Sequence, residues 1–206
     1  NYNASLFRDY ISQFPFCKKF FAGNMDFHYF FIHLGIEKLK PGGILSFITT
    51  NYWIYKSRGT GIKLLKPHVL EECFLLEYVD LSPLKIFKNA KGHHDCIFFL
   101  QKKTPKQKQR HSNKKIKIIQ IRPKLDPALT DEEYNDQVFY GLNSGEELQN
   151  ILKYESALTN KDLKSDGVWN LTYPLEVKRV IEQIEKKCYK NGKPFLLKDL
   201  FIIRNG

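Results

Sequence analysis

The stretch NMDFHYFFIHLGIEKLKPGGILSFITTNYW, residues 24–53, decides the fold. Its first half has apolar residues at helical spacing, and Asn24 and Asp26 stand where a helix begins. These apolar positions are Phe27, Phe30, Phe31, Leu34 and Leu39. Pro41 cannot continue a helix, and the two glycines after it favour a chain reversal. The apolar run 44–48 then predicts a fully buried parallel strand. Helix, tight turn and buried strand form half of a doubly wound α/β unit.

The residues after this strand, TTNYW at 49–53, mark the edge of the sheet. In doubly wound sheets, ligands bind in the crevice beyond the carboxyl ends of the strands. Two interpretations stay open here: a binding edge, or an ordinary surface loop with two half-exposed aromatic residues.

Composition and charge restrict the class of protein. The 206 residues are 42% hydrophobic and 14% aromatic, enough for one domain and part of another. A net charge of +11 favours a polyanionic partner, nucleic acid first and an anionic membrane second. No apolar run reaches membrane-spanning length, and the start does not have the pattern of a signal peptide. The chain also starts without Met, so we interpret it as a piece of a longer protein.

The four cysteines are scattered and form no CxxC pair, which argues against zinc and thioredoxin-type chemistry. Cys73 and Cys96 lie among apolar residues and are typical of buried thiols in a reducing cytoplasm. His93 and His94 stand beside Asp95, but adjacent residues rarely point at one ion. We predict no metal site.

Further elements follow along the chain. We predict a helix from near Thr60 that Pro67 bends or interrupts, and strands at 74–81, 96–103 and 116–121. The basic run 103–115 is a disordered loop or a ribbon at a domain edge, and a solvated loop is favoured.

The last third of the chain changes character. Residues 123–141 are acidic and rich in turn residues, which predicts a connector. Residues 144–155 predict a helix, because Ser144 and Glu147 have the spacing of a capping box. Another amphipathic helix is predicted from Pro174.

Two strings resemble adenine-specific DNA methyltransferases of restriction-modification systems: DFHYFFIHLGIEKLKPGGILSFITTNYW (26–53) and IFKNAKGHHDCIFFL (86–100). They are most similar to the type IIG or type IIS-like enzymes, in which methylase and nuclease share one polypeptide. The resemblance is good over 3–103, and the closing LKDLFIIRNG (197–206) resembles the start of a target-recognition region. The string KPGG alone is weak evidence for this family, whereas the order of the motifs along the chain is specific evidence.

The resemblance implies a Rossmann-like, S-adenosylmethionine-dependent methyltransferase sheet with 44–48, 74–79 and 96–100 as strands five, six and seven. It also implies three regions. Residues 1–122 would be the C-terminal half of the catalytic domain, 123–166 a connector, and 167–206 the beginning of the specificity domain.

Site residues follow from the same resemblance. Phe27 and Phe31 match positions that contact the adenine of S-adenosylmethionine, and Phe87 matches an aromatic residue that stacks on the flipped target adenine. For each of the three, core packing is the alternative. Contacts to the DNA backbone are implied for basic residues near these loops: Lys56, Arg58, Lys63, Lys85, Lys88 and Lys91.

The family's catalytic Asn-Pro-Pro-Tyr motif and its glycine-rich cofactor loop do not occur in this sequence. Both precede the matching region in the family's usual order. We therefore expect a fragment, inactive alone, of an enzyme that methylates the exocyclic amino group of adenine in a specific double-stranded DNA sequence. Any nuclease would lie elsewhere in the parent chain. The alternatives are a methyltransferase-like DNA-binding or specificity module without catalysis, and a methyltransferase acting on RNA or protein glutamine.

Overall fold

The computed structural model describes residues 9, 11, 13–22, 25–57, 59, 61–87, 94–108, 112–146, 148–190 and 193–194. The chain divides into two compact units, 1–172 and 173–206. The elements of the first unit are α1 Pro15–Phe20, α2 Phe27–Lys38, β1 Ile44–Thr50, α3 Tyr52–Tyr55, α4 Ile62–Glu72, β2 Cys73–Asp80, β3 Asp95–Lys102, α5 Pro105–Lys108, β4 Lys115–Ile121, α6 Asp131–Ser144 and β5 Ile151–Thr159. Those of the second are α7 Leu175–Lys187, β6 Tyr189–Lys190 and β7 Lys193–Pro194. In the described part of the chain, no helix has both the length and the apolarity to cross a membrane.

The first unit contains a five-stranded mixed sheet in the order β1-β3-β2-β4-β5, which confirms the α/β class. Strand β3 runs antiparallel between β1 and β2, β2 is parallel to β4, and β5 is antiparallel to β4. The ends of β1, β2 and β4 and the start of β3 consequently share one side of the sheet. We call this side the carboxyl edge.

The prediction that 44–48 form a fully buried parallel strand is wrong. Strand β1 pairs antiparallel with β3 and lies at the end of the sheet order. Its side chains alternate: Ile44 and Ile48 are 57% and 41% exposed, whereas Leu45 and Phe47 pack against the core. An apolar run does not reveal which strand will insert beside it, because that pairing involves residues some fifty positions away.

Helix α2 confirms the predicted helix, with Gly42 at φ 83° in the turn after it. Asp26 occupies the N-cap position without a side-chain cap bond. Asn24 lies outside the described residues.

The buried face of α2 differs from the predicted stripe. It is formed by Tyr29, Ile32, His33 and Ile36. Phe27, Phe31 and Leu34 are 40%, 60% and 39% exposed. Because both sides of the helix carry apolar residues, spacing alone did not select the face that packs on the sheet.

Two apolar clusters cover the two faces of the sheet. One contains Trp53, Leu65, Tyr78, Phe98 and Trp169, and α2 and α4 contribute to it. The other contains Leu81, Leu84, Ile121, Tyr134 and Val138, and α6 contributes to it. The predicted helix near Thr60 is confirmed as α4, with Pro67 inside it.

The region 123–166 contains a helix and a strand of the main sheet. Helix α6 begins at a capping box formed by Thr130 and Glu133, and Gly145, at φ 75°, ends it. The prediction of a helix over 144–155 is wrong, because 151–159 form strand β5 beside β4. Leu148 and Ile151, which lie in this stretch, pack against the second cluster. The assignment of regions to methyltransferase domains stays a prediction.

Candidate functional site

The carboxyl edge begins with one helical turn rather than an open loop. Asn51 follows β1 and is 7% exposed, and α3 starts at the next residue. Trp53 is fully buried, with its ring centroid 5.0 Å from that of Phe98 and 5.6 Å from that of Trp169. Trp53 is therefore a core residue, and Tyr52 is half-buried. Burial of Trp53 anchors the turn that carries Asn51.

A chain of side-chain hydrogen bonds joins the loops that follow β1 and β2. Asn51 Nδ2 lies 3.1 Å from Ser82 Oγ. Ser82 Oγ lies 2.5 Å from Asp80 Oδ1, which also accepts from the Ser82 backbone amide at 3.1 Å. These three polar residues therefore connect the ends of two parallel strands.

Phe87 lies in the loop after β2, and its side chain is 48% exposed. The loop is anchored by Leu81 and Leu84, which are 0% and 3% exposed. Its outer side contacts α6, where Asn135 Nδ2 donates to the carbonyl of Lys85 at 3.1 Å. The ring of Phe87 thus projects into solvent from a loop whose earlier residues, Leu81 and Leu84, are buried.

Beside this loop lies a groove of about 440 Å³. Its lining includes Ser82, Lys85, His94, Lys124 and Asp131. Asp131 pairs with Lys85 at 2.5 Å and with Lys124 at 3.1 Å, and hydrogen bonds from these lysines lower the pKa of its carboxyl. Pro83, Pro123 and Tyr134 complete the lining, so the groove combines apolar walls with these charged side chains.

Phe27 and Phe31 are exposed, so core packing does not explain them in this chain. Both lie on α2, whose opposite face packs on the sheet. Flat apolar rings of this kind fit the adenine of a nucleotide-like cofactor. Among the described residues, no group of three or more His, Cys, Asp or Glu side chains could hold a metal ion.

Three of the six predicted DNA-contacting residues lie in the described part of the chain. Lys56, Lys63 and Lys85 are all exposed. The ammonium of Lys56 stands 4.5 Å from the centre of the Tyr52 ring, and Lys85 is paired with Asp131. The other three, Arg58, Lys88 and Lys91, lie outside the described residues.

Lys66 is a structural feature that sequence reasoning missed. Its side chain is fully buried, and its Nζ donates to the carbonyls of Ile54, Lys56 and Gly167 at 3.1, 2.7 and 2.6 Å. The ammonium also lies 4.8 Å from the centre of the Trp169 ring. Burial lowers its pKa from 10.5 to about 8. No local signal identifies it, since a lysine beside a helix proline is usually at the surface.

A buried histidine pair was also missed. His33 Nδ1 and His68 Nδ1 lie 2.8 Å apart, and the ring of Phe20 stacks on both. Glu37 Oε1 lies 3.2 Å from His68 Nε2. Burial, and then the neighbouring His68, lower the pKa of His33 from 6.5 to about 3. The two histidines are distant in sequence, so only the packing of α2 on α4 brings them together.

Comparison with known proteins places this geometry in a family context. Residues 9–87 match the Eco57I restriction-modification methylase family. The type II methyltransferase M.BanIII of Aneurinibacillus aneurinilyticus is 27% identical over 120 residues, which cover 58% of this chain and 20% of that protein. The chain therefore spans about a fifth of the length of that relative.

Two solved structures are also similar. The type IIG restriction endonuclease BpuSI has a TM-score of 0.49 at 12% identity, covering 90% of this chain and 21% of its own. A type I methyltransferase subunit from Streptococcus thermophilus has a TM-score of 0.45 at 19% identity, covering 82% and 34%. The match over residues 9–87 confirms the predicted resemblance of this segment to restriction-modification methylases.

Proposed function

We propose that this chain is part of a DNA methyltransferase of a restriction-modification system. The reaction transfers a methyl group from S-adenosylmethionine to the exocyclic amino group of adenine within a specific double-stranded DNA sequence, in the cytoplasm. The family match over 9–87 supports the class of enzyme. The observation that carries the finer assignment is the exposed ring of Phe87 at the carboxyl edge.

The physical case for Phe87 is its combination of exposure and anchoring. A base extruded from the duplex loses its stacking partners, and an aromatic face replaces part of that stabilisation. Such a face must be accessible and held in place. Phe87 is 48% exposed, and Leu84 in the same loop is buried. A ring that served only the core would be buried like Leu84.

Charge supports DNA as the partner. The chain carries +11, and Lys56, Lys63 and Lys85 are exposed on elements near the carboxyl edge. We assign these three, with Arg58, Lys88 and Lys91, to contacts with DNA phosphates. Contacts of this type raise affinity without selecting a sequence and weaken as salt increases.

The cofactor assignment rests on Phe27 and Phe31. Their exposed rings would hold the adenine of S-adenosylmethionine, which supplies the activated methyl group when bound. The chain's own contribution is to orient that cofactor and to exclude water around it.

The exposed side of β1 supports the assignment of this chain to the second half of a catalytic domain. In the described residues β1 pairs with β3 alone, and Ile44 and Ile48 project from one face of the strand end. An exposed apolar edge strand can form hydrogen bonds with a further strand. We assign that strand, with an Asn-Pro-Pro-Tyr motif, to another part of the parent protein. Residues 167–206 would then form the beginning of the recognition region.

The test is methylation of duplex DNA by the full-length parent protein. Phe87→Ala should lower kcat by roughly five- to 150-fold, because loss of base stacking costs roughly 1–3 kcal/mol. Phe87→Trp should retain most of the activity, since it keeps an aromatic face. Tyr140→Ala, which removes an exposed aromatic ring from α6, is the matched control.

Activity of Phe87→Ala within twofold of wild type would remove the stacking role. A parent protein that binds specific DNA but transfers no methyl group would instead favour the specificity module without catalysis.

A further inference from the structure

The strand ends at the carboxyl edge are joined first by their backbones. The amide of Asn51 donates to the carbonyl of His94 at 2.8 Å, which joins the end of β1 to the segment before β3. The amide of Leu81 donates to the carbonyl of Asp95 at 3.0 Å, which joins the end of β2 to the start of β3. These bonds use no side chains, so they remain when the polar side chains of this edge are replaced.

A second set of bonds joins the same loops through side chains. Ser82 Oγ lies 2.5 Å from Asp80 Oδ1 and 3.1 Å from Asn51 Nδ2. A hydroxyl has one proton, and a carboxylate is the stronger acceptor, so Ser82 donates to Asp80 and accepts from Asn51. The hydrogen bonding thereby determines the orientation of the Asn51 amide, with its NH₂ group toward Ser82.

The loop that receives this contact also carries Phe87. Phe87 follows Ser82 by five positions, and between them Leu84 is buried in the second apolar cluster. On the side of α6, Asn135 holds the backbone of Lys85. The loop is therefore held by α6 on one side and, through Ser82, by the end of β1 on the other.

We infer that Asn51, Ser82 and Asp80 are positioning residues, which hold the loop carrying Phe87 in register with the end of β1. The inference rests on the proposed function, in which Phe87 stacks on an extruded base. A small displacement of an aligned group lowers the rate of a reaction strongly. One neutral hydrogen bond contributes little to global stability by comparison. Loss of the Asn51–Ser82 bond should therefore affect turnover more than folding.

The test uses the full-length protein and a duplex in which 2-aminopurine, whose fluorescence rises when it leaves the stack, replaces the target adenine. Ser82→Ala should lower kcat on the adenine duplex roughly tenfold. It should also reduce the fluorescence rise, with KM for DNA and the melting temperature unchanged. Ser82→Thr keeps the hydroxyl and should restore both signals. Ser165→Ala removes an exposed serine hydroxyl elsewhere and should change neither.

Asn51→Ala removes the donor of the Asn51–Ser82 hydrogen bond, and it replaces Ser82→Ala in the test if that variant does not fold. Asn51→Ala removes only the Asn51–Ser82 bond, whereas Ser82→Ala also removes the bond to Asp80. The double variant should therefore lose no more activity than Ser82→Ala alone, because its Asn51 substitution removes a bond that is already lost. Variants that extrude the base and methylate like wild type overturn the inference and leave the proposed function standing. A wild-type protein that neither methylates DNA nor raises the fluorescence overturns the proposed function, and this inference with it.

Discussion

The Nζ atom of Lys66 lies 2.6 Å from the carbonyl oxygen of Gly167, 101 residues further along the chain. The same ammonium binds the carbonyls of Ile54 and Lys56, which follow the carboxyl edge. One buried charge thus ties the turn after β1 to the segment that precedes the second unit. Backbone oxygens, rather than a carboxylate, compensate the charge.

Lys66→Met should destabilise the chain strongly. Methionine fills a similar volume but leaves three buried carbonyls without their donor, so we expect the free energy of unfolding to fall by about 3 kcal/mol. Urea denaturation of the 206-residue chain, followed by tryptophan fluorescence, measures this. Lys63→Met replaces an exposed lysine of the same helix and should change the value by under about 0.5 kcal/mol. If Lys66→Met lowered the free energy of unfolding as little as the control does, the three hydrogen bonds from Lys66 to backbone carbonyls would not stabilise the fold.

The histidine pair should make the chain sensitive to mild acid. The folded-state pKa of His33 is about 3, below the usual 6.5, so the unfolded chain takes up a proton first as pH falls. The contribution of His33 to the free energy of unfolding is therefore fully present above pH 6.5 and is lost as pH falls towards 3. We expect a loss of about 2 kcal/mol between pH 6.5 and 5.

The double variant His33→Leu with His68→Leu should flatten this part of the stability profile. His94→Gln replaces an exposed histidine and should leave it unchanged. Four charged groups act on the pKa of one or both histidines: Lys19, Glu37, Glu72 and Lys102. Urea midpoints of the 206-residue chain at half-unit pH steps give the profile. An acid loss that persists undiminished in the double variant would assign it to other groups.

Protonation of Glu72 should dominate the loss of stability at lower pH. Burial raises its pKa, but hydrogen bonds from Lys102 and Lys108 outweigh burial and lower the pKa from 4.5 to about 2. Its contribution is present above pH 4.5 and is lost as pH falls to 2. Glu72→Gln should remove roughly 2 kcal/mol at pH 6 and almost nothing at pH 2. Thermal denaturation at both values measures the difference, and Glu71→Gln, an exposed neighbour, is the control. Equal losses at the two pH values would contradict the ion-pair explanation.

The exposed side of β1 should matter in the parent protein but not in this chain. Ile44 and Ile48 are 57% and 41% exposed here, so Ile44→Lys and Ile48→Lys should change the free energy of unfolding by less than about 1 kcal/mol. In the parent, the segment that supplies the further strand would also cover this face of β1, so the same lysines would be buried and should abolish most activity. Leu125→Lys, at a 74% exposed position, is the control in both proteins. Full activity of the Ile48→Lys parent would mean that this side of β1 is not an internal interface.

Two local features could be predicted from short motifs and the resemblance they carry: the turn at Pro41 to Gly43 before β1, and the polar loop that carries Phe87 after β2. The Asn51–Ser82 contact could not be predicted, since it joins residues 31 positions apart through a sheet whose pairing no local pattern specifies. The prediction of a helix over 144–155 was wrong for a related reason. Pairing with β4 stabilises a strand from residue 151 onward, and a local pattern does not reveal that pairing.

By itself, the sequence determined where α2, α4, β2 and β3 lie along the chain, because helical spacing and apolar runs are local properties of the residues. It also identified the restriction-modification methylase resemblance over 3–103, and the family match covers 9–87. Only the tertiary structure decided that β3 inserts beside β1, which face of α2 is buried, and that Lys66 is enclosed by carbonyls. Strand pairing and burial are relations between distant segments. Their free energy appears only when those segments meet, so no single stretch of residues encodes them.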